Sequence, residues 1–179
     1  MAESRVEVMQ RSADMESAAD RGPRAEIVDT GSRWARAARI DIDAPAGVIF
    51  DVLADPSKHA LLDGSGTLQG LVSGPERLSL GAHFGMGVRI KVPYRTDNTV
   101  VEFEEGRLIA WSHFNRHRWR YELEPIDDLT TRVTETFDGR TAVFPPSLLL
   151  IDAYRNNQVA IAKTLVRLKA LVEADGAHS

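Results

Sequence analysis

Residues 145–174, PPSLLLIDAYRNNQVAIAKTLVRLKALVEA, form the longest segment of the sequence that is compatible with a helix. Prolines suit the first turn of a helix, and no Gly or Pro follows Pro146 within the segment. Apolar side chains recur three or four positions apart along much of it, at Ile151, Tyr154, Ile161, Leu165, Leu168 and Val172. This spacing places them on one side of a helix. We therefore predict one long helix that begins after Pro146 and ends at Asp175-Gly176.

The apolar side of this predicted helix differs between its two halves. The C-terminal half is entirely apolar, whereas the N-terminal half carries Tyr154, Asn157 and Gln158 on or beside the same face. Buried amides need hydrogen-bond partners, because an unpaired one costs a few kcal/mol. Two interpretations follow: this half faces a wet or ligand-filled space, or its amides bond a neighbouring strand or loop.

The composition is that of a single globular domain. The chain has 179 residues, of which 43% are apolar and 27% charged, and its net charge is −4. An acidic balance argues against a nucleic-acid partner, and the absence of cysteine excludes disulfides and Cys-based zinc sites. The N-terminus lacks the apolar core of a signal peptide, and no apolar run is long enough to span a membrane. We expect a cytoplasmic protein without an integral membrane segment.

The chain divides into a tail, a domain and a short C-terminus. Residues 1–31 contain few large apolar side chains, so they bury too little surface to offset their ordering entropy. We predict a disordered N-terminal tail over residues 1–31, a folded domain over residues 32–175, and a disordered C-terminus over residues 176–179.

Strand-like alternation of apolar and polar residues dominates the domain before the long helix. One strand is predicted near residues 38–42, followed by two short helices that start at Pro45 and Pro56 and end near Leu62. Six further strands joined by short turns reach Asp138, which is typical of an antiparallel meander. The apolar face of such a sheet must be covered, and only the C-terminal helix is long enough. We predict an α+β fold in which a strongly curved antiparallel sheet of about seven strands wraps around the long helix.

Seven short segments resemble those of a known superfamily: IDAP (42–45), VIFDVLADP (48–56), GAHF (81–84), VVEF (100–103), RLIAW (107–111), WRYELEP (119–125) and TRVTET (131–136). Together with the order of elements, they resemble the START-like helix-grip superfamily, also called SRPBCC. Within it, the chain is most similar to the bacterial polyketide cyclase/dehydrase group. The resemblance implies a cavity between helix and sheet that takes a bulky, largely apolar molecule.

Strand parity and helix spacing predict which side chains face this cavity. His117 shares the parity of Trp119 and Tyr121, His113 shares that of Trp111, and Glu135 lies between inward-facing neighbours. The predicted ligand-binding set comprises Phe84, Met86, Val88, Trp111, His113, His117, Trp119, Tyr121, Glu135, Tyr154, Asn157, Gln158 and Ile161. Apolar walls with a few polar groups are typical of ligand sites.

The polar members of this set allow two interpretations. A histidine, a carboxylate and a tyrosine in one cavity could perform acid–base chemistry on a ketone or a β-hydroxy carbonyl. Alternatively, His113 and His117 are solvated near the hairpin tip at residues 114–116, and Glu135 pairs with an arginine. Two histidines without a third ligand do not match a zinc site, so we predict neither metal nor cofactor.

Basic residues gather near two predicted hairpins: Arg89, Lys91 and Arg95 in one, and Arg116, Arg118 and Arg120 in the other. They would steer an anionic ligand or contact an acidic membrane if they border the cavity mouth. Alternatively, they form ion pairs on the outer sheet face with Glu102, Glu104, Glu122 and Glu124.

Three functions are compatible with this sequence. The first is binding of a hydrophobic small molecule (a lipid, a polyketide or another polycyclic ligand) by a carrier that is a monomer or a homodimer. The second is a polyketide cyclase or dehydratase, and the third is a membrane- or partner-binding module that uses the basic hairpins with Val159 and Val166. The sequence favours the first, because it offers no unambiguous pair of catalytic base and acid.

Overall fold

The computed structural model of the protein describes residues 22–113 and 115–176. Its strands are β1 (Glu26–Val28), β2 (Ala35–Ile42), β3 (Leu68–Ser73), β4 (His83–Arg89), β5 (Pro93–Glu104), β6 (Leu108–Ser112), β7 (Arg118–Pro125) and β8 (Thr131–Asp138). Its α-helices are α1 (Ala46–Ala54), α2 (His59–Leu62) and α3 (Ala153–Gly176). Short 3-10 helices lie at Pro56–Lys58, Gly139–Thr141 and Pro145–Leu149.

The strands form one antiparallel sheet in the order β1-β2-β8-β7-β6-β5-β4-β3. Strands β3 to β8 follow one another as a meander, and β2 pairs with β8 along its whole length. The two short helices fill the connection from β2 to β3. The predicted α+β helix-grip fold is therefore confirmed, with eight strands in place of about seven.

Helix α3 covers the apolar face of the sheet and contacts β2 and β8 most extensively. Ile161, Leu165 and Leu168 are completely buried, in the same core as Phe50 and Phe137. Burial of a large apolar side chain stabilises a fold by about 1.5–3 kcal/mol. The C-terminal half of α3 is thus the centre of the core. Within the described residues, no helix is long and apolar enough to cross a membrane.

The long helix begins later than the sequence predicted. Residues Pro145–Leu149 form a separate 3-10 helix, and Asp152 interrupts the chain with a left-handed backbone (φ 51°) before α3 starts at Ala153. Asp is one of the residues that tolerate this conformation, so no glycine marks the break in the sequence. Ile151, predicted to lie on the buried stripe, is consequently 70% exposed.

The sheet also begins earlier than the predicted domain boundary. Strand β1 pairs with β2 in the register Glu26–Arg39 to Val28–Ala37, so part of the predicted tail belongs to the sheet. A strand of three residues is too short to display a period-two pattern, and its pairing is visible only in three dimensions. The rest of the predicted tail, residues 1–21, and the last three residues, 177–179, lie outside the described residues. Gly176, predicted to begin a disordered C-terminus, is the last residue of α3.

The loop after α2 is fixed against the side of α3. Gly64 lies so close that a Cβ atom built on it would be 2.1 Å from the Ala160 carbonyl oxygen, and its backbone N–H donates to Thr164 Oγ1 at 2.9 Å. The Asp63 carboxylate accepts hydrogen bonds from the backbone N–H groups of Ser65 and Thr67. Only glycine permits this close approach. The contact holds the loop where it forms one wall of the cavity described below.

Candidate functional site: the cavity between sheet and helix

A cavity of about 930 Å³ lies between α3 and the inner face of the sheet. Strands β4 to β8 form its floor, α3 its roof, and α2 with the following loop one side. Most lining side chains are apolar or aromatic, as in small-molecule sites of this size. The space is large enough for a molecule of several fused rings or a long acyl chain.

Stacked aromatic rings form one wall of the cavity. Trp111 lies between His59 and Tyr121, with ring centroids 4.8 Å and 5.4 Å apart, and Phe84 meets it edge-on. One nitrogen of His59 is 2.9 Å from the Leu53 carbonyl oxygen, and burial lowers the pKa of this histidine. His59 is therefore a neutral N–H donor to that carbonyl and acts as part of an uncharged aromatic wall.

Two further histidines stack on each other beside this wall. The rings of His113 and His117 are 4.8 Å apart and nearly parallel, and the Trp119 indole N–H donates to His113 Nε2 at 3.0 Å. Burial lowers the pKa of His113 to about 3, with a further contribution from His117, and lowers that of His117 to about 4. Both imidazoles are therefore neutral near pH 7. The alternative in which they are solvated is wrong; Phe114, at the predicted hairpin tip between them, lies outside the described residues.

Glu135 supplies a carboxyl group to the same cavity. It is almost completely buried on β8, and burial raises its pKa to about 8. A hydrogen bond with the Tyr121 hydroxyl opposes this rise, and the negative charge of Asp63 adds to it. Burial also raises the pKa of Tyr121 well above its ordinary value. Glu135 is thus mostly protonated at neutral pH, and it forms no ion pair with an arginine among the described residues, contrary to the second interpretation of the sequence.

Three buried polar atoms lack hydrogen-bond partners within the described part of the chain: Asn98 Oδ1, His117 Nδ1 and Glu135 Oε2. All three belong to residues that line the cavity. The amide of Asn98 has a defined orientation, because its Nδ2 donates to the Phe84 carbonyl at 3.2 Å and leaves Oδ1 free. Buried polar atoms without partners are rare in native structures, since each costs about 1–3 kcal/mol. Their presence in one cavity indicates groups that a ligand would complete.

Comparison with known proteins identifies the family. The sequence profile described as polyketide cyclase / dehydrase and lipid transport matches residues 33–173. The chain belongs to this family. The match covers the whole domain from β2 through most of α3 and confirms the predicted relationship to the SRPBCC and polyketide cyclase group.

Relatives and solved structures agree with the family assignment. The uncharacterized protein Rv0088 of Mycobacterium tuberculosis is 40% identical over 118 residues, which are 65% of this chain and 52% of that protein. The chain thus matches about half the length of this curated relative. Protein Ms6760 of Mycobacterium smegmatis shares the fold with a TM-score of 0.65 at 15% identity, over 86% of this chain and 99% of that one. The Polyketide_cyc-like protein Cgl2372 of Corynebacterium glutamicum follows with a TM-score of 0.55 at 19% identity, over 81% and 94% of the two chains.

Most of the residues predicted for the ligand site in this family member do meet around the cavity. Ten of the thirteen line it: Phe84, Met86, Val88, Trp111, His113, His117, Trp119, Tyr121, Glu135 and Asn157. Their proximity follows from the strand parity and from the pairing of β6, β7 and β8. That they bind a ligand stays a prediction.

The other three predicted residues lie outside the cavity lining. Tyr154 is buried against Trp34 and Phe137, and its hydroxyl donates to the Pro145 carbonyl at 3.3 Å. Gln158 Nε2 donates to the Ala37 carbonyl of β2 at 3.2 Å, and Ile161 belongs to the closed core. The late start of α3 explains part of the error. The face assigned to the cavity contacts β2 and the core, and Asn156, Asn157 and Ala160 face the cavity instead.

Sequence reasoning missed the contribution of β5. Thr96 and Asn98 are buried and line the cavity, whereas the sequence placed Val101 and Phe103 on the inner face. A bulge between Val100 and Glu102 shifts the parity of this strand, so both assignments cannot follow from one alternation. The alternation of Thr96, Asn98 and Val100 was the available signal.

The basic residues of the two hairpins have different surroundings. Arg118 and Arg120 both contact Glu102, at 2.8 Å and 3.1 Å, as expected for ion pairs on the outer face. Arg95 pairs with Asp97 at 3.0 Å. Lys91, in contrast, lines the cavity at its opening. The described residues contain no group of three His, Asp or Glu side chains that would hold a metal ion.

Proposed function

We propose that the protein binds a neutral, largely apolar small molecule carrying several oxygen groups in this cavity. The observation that carries the proposal is the set of three buried polar atoms without partners in an otherwise apolar, aromatic-walled space. Such atoms gain a hydrogen bond only when a ligand supplies one.

The chemistry of the three groups defines what the ligand offers. Asn98 Oδ1 accepts hydrogen bonds, so it requires a hydroxyl or N–H donor. Protonated Glu135 is a donor and suits a carbonyl or hydroxyl oxygen. Neutral His117 pairs with a hydroxyl in either tautomer. A molecule with a hydroxyl group and a carbonyl group meets these requirements.

The separation of these groups favours a rigid, multiply oxygenated ligand over a single-headed lipid. Asn98 lies on β5 and Glu135 on β8, and neighbouring strands are about 4.8 Å apart. Three strand spacings exceed the reach of one head group. The aromatic wall formed by Trp111 and its neighbours suits flat ring systems.

A ligand carboxylate is poorly accommodated at this inner end. The basic side chains that line the cavity, Lys91 and Lys163, are exposed at its opening, and the lining histidines are neutral. Burying an anion without a paired charge is costly. The cavity is therefore suited to uncharged molecules.

Calorimetric titration with two probes tests this proposal. Testosterone is a neutral tetracycle with a ketone at one end and a hydroxyl at the other, whereas palmitate has a single carboxylate. We expect testosterone to bind more tightly than palmitate at neutral pH. Tighter binding of palmitate would indicate a carrier of anionic lipids and contradict the proposal.

A second candidate function is dehydration of a β-hydroxy ketone, which the protonated Glu135 beside Tyr121 favours. His117 would remove the proton next to the carbonyl while Glu135 gives its proton to the departing hydroxyl. The C–H and C–O bonds break, a C=C bond forms and water leaves; the proton on His117 then returns to Glu135 through solvent. Absorbance of the enone product measures turnover. We expect Glu135→Gln to abolish turnover while substrate binding persists.

A further inference from the structure

Exposed apolar side chains surround the opening of the cavity. Four residues line the cavity and are nevertheless about half exposed or more: Ile90 (66%), Tyr94 (48%), Ile151 (70%) and Val159 (53%). Beside them, Val92 and Leu150 are 70% and 87% exposed. We call these six residues the mouth rim. They come from the β4–β5 turn on one side and from α3 and the segment before it on the other.

The mouth rim is also basic, although the chain as a whole is acidic. Residues 89–95 and 149–163 together contain five Lys or Arg residues and one acidic residue, against a net charge of −4 for the whole chain. Within residues 22–113 and 115–176, Arg89, Lys91, Arg155 and Lys163 form no ion pair. Lys91 and Lys163 line the opening itself.

We propose that the mouth rim docks on the surface of a bilayer that contains anionic phospholipids. Apolar side chains flanked by cations match the interface of such a bilayer, where the apolar groups insert and the cations contact phosphates. Docked in this way, the cavity opens towards the acyl chains, and an apolar ligand enters it without crossing water. The inference concerns where the ligand is exchanged and goes beyond the proposed ligand chemistry.

Charge argues against a second copy of the chain as the occupant of this surface. Two mouth rims facing each other would bring Lys91, Lys163 and their neighbours together with like charges opposed. A bilayer with negative phosphates has the opposite sign and a matching apolar interior. The anionic bilayer is therefore the partner to which the surface is suited.

Vesicle flotation of the full-length protein without ligand tests the proposal. The probes are vesicles of phosphatidylcholine alone and vesicles in which part of it is replaced by phosphatidylglycerol. We expect flotation with the anionic vesicles, little with the neutral ones, and weaker binding at high salt. Lys91→Ala and Lys163→Ala should each weaken the partition coefficient about fivefold. Val92→Ser combined with Ile151→Ser should weaken it further.

Matched controls are available at the other end of the sheet. Arg107→Ala removes a positive charge and Leu129→Ser an exposed apolar side chain, both at turns away from the mouth rim. Circular dichroism establishes that every variant folds. The proposal is overturned if the wild type does not float with anionic vesicles, or if the controls weaken binding as much as the rim variants. A wild-type dimer that the rim variants convert to monomers would likewise overturn it in favour of a second copy.

Discussion

At the scale of single residues, Glu135 has the most unusual environment in the molecule. Its carboxyl group is buried beside Tyr121 with its pKa raised to about 8, so the folded state holds a proton that the unfolded state releases at its ordinary pKa of 4.5. The stability contributed by this proton is complete below pH 4.5 and is lost as the pH rises towards 8. The slope is about 1.4 kcal/mol per pH unit.

Glu135→Gln should remove this pH dependence, because the amide is neutral throughout. His113 and His117 act in the opposite sense: their pKa values are lowered, so their contribution is present above pH 6.5 and lost as the pH falls towards 4 and 3. Urea denaturation between pH 6.5 and pH 8 therefore isolates Glu135 from both histidines. We expect the wild type to lose stability across this range relative to the Gln variant. Parallel pH profiles would show that Glu135 is ionised in the folded protein.

Gln158 illustrates a residue whose role the sequence left between two alternatives. Its amide bonds the Ala37 carbonyl, so Gln158→Leu should cost about 1 kcal/mol of unfolding free energy and leave ligand affinity unchanged. Asn157→Leu, one position away and in the cavity lining, is the matched variant and should alter affinity. Denaturation and calorimetry of both variants check this. Weakened ligand binding by Gln158→Leu at full stability would return Gln158 to the cavity.

At the scale of elements, α3 has one packed face and one open face. Leu165 is completely buried, whereas Val159 is 53% exposed at the mouth rim. Leu165→Ala should therefore cost about 2–5 kcal/mol of unfolding free energy. Val159→Ala should cost well under 1 kcal/mol, as is usual for exposed positions. Urea denaturation of both variants measures the difference; equal losses would mean that Val159 packs against something in solution.

Elements with strong periodicity could be predicted from the sequence. The alternation around Trp119 and Tyr121 was sufficient to place β7 and its inward-facing His117, and the spacing of Ile161 and Leu165 placed the core half of α3. The errors occur where a local backbone feature interrupts the period. Asp152 ends the 3-10 segment without a glycine, and the bulge after Val100 reverses the parity of β5 and concealed Asn98.

At the scale of the whole molecule, the fold separates stability from binding. The C-terminal half of α3 closes the core against β2 and β8, while the cavity lies under the N-terminal half of the helix and over β4 to β8. The pairing of strands distant in sequence brings Asn98, His117 and Glu135 to one cavity. Neither the cavity volume nor the absence of partners for these groups could be predicted from a sequence, because both depend on the curvature of the sheet.

The measurement that tests ligand recognition most directly is a comparison of two probes on two proteins. Testosterone and androst-4-en-3-one differ only in the hydroxyl group, and Asn98→Leu removes the acceptor that such a hydroxyl would satisfy. Calorimetry should show that this variant binds testosterone about tenfold more weakly, as expected for one lost hydrogen bond. Its affinity for androst-4-en-3-one should be nearly unchanged. Equal losses for both probes, or no loss for either, would contradict a ligand-binding role for the unpartnered polar groups of the cavity.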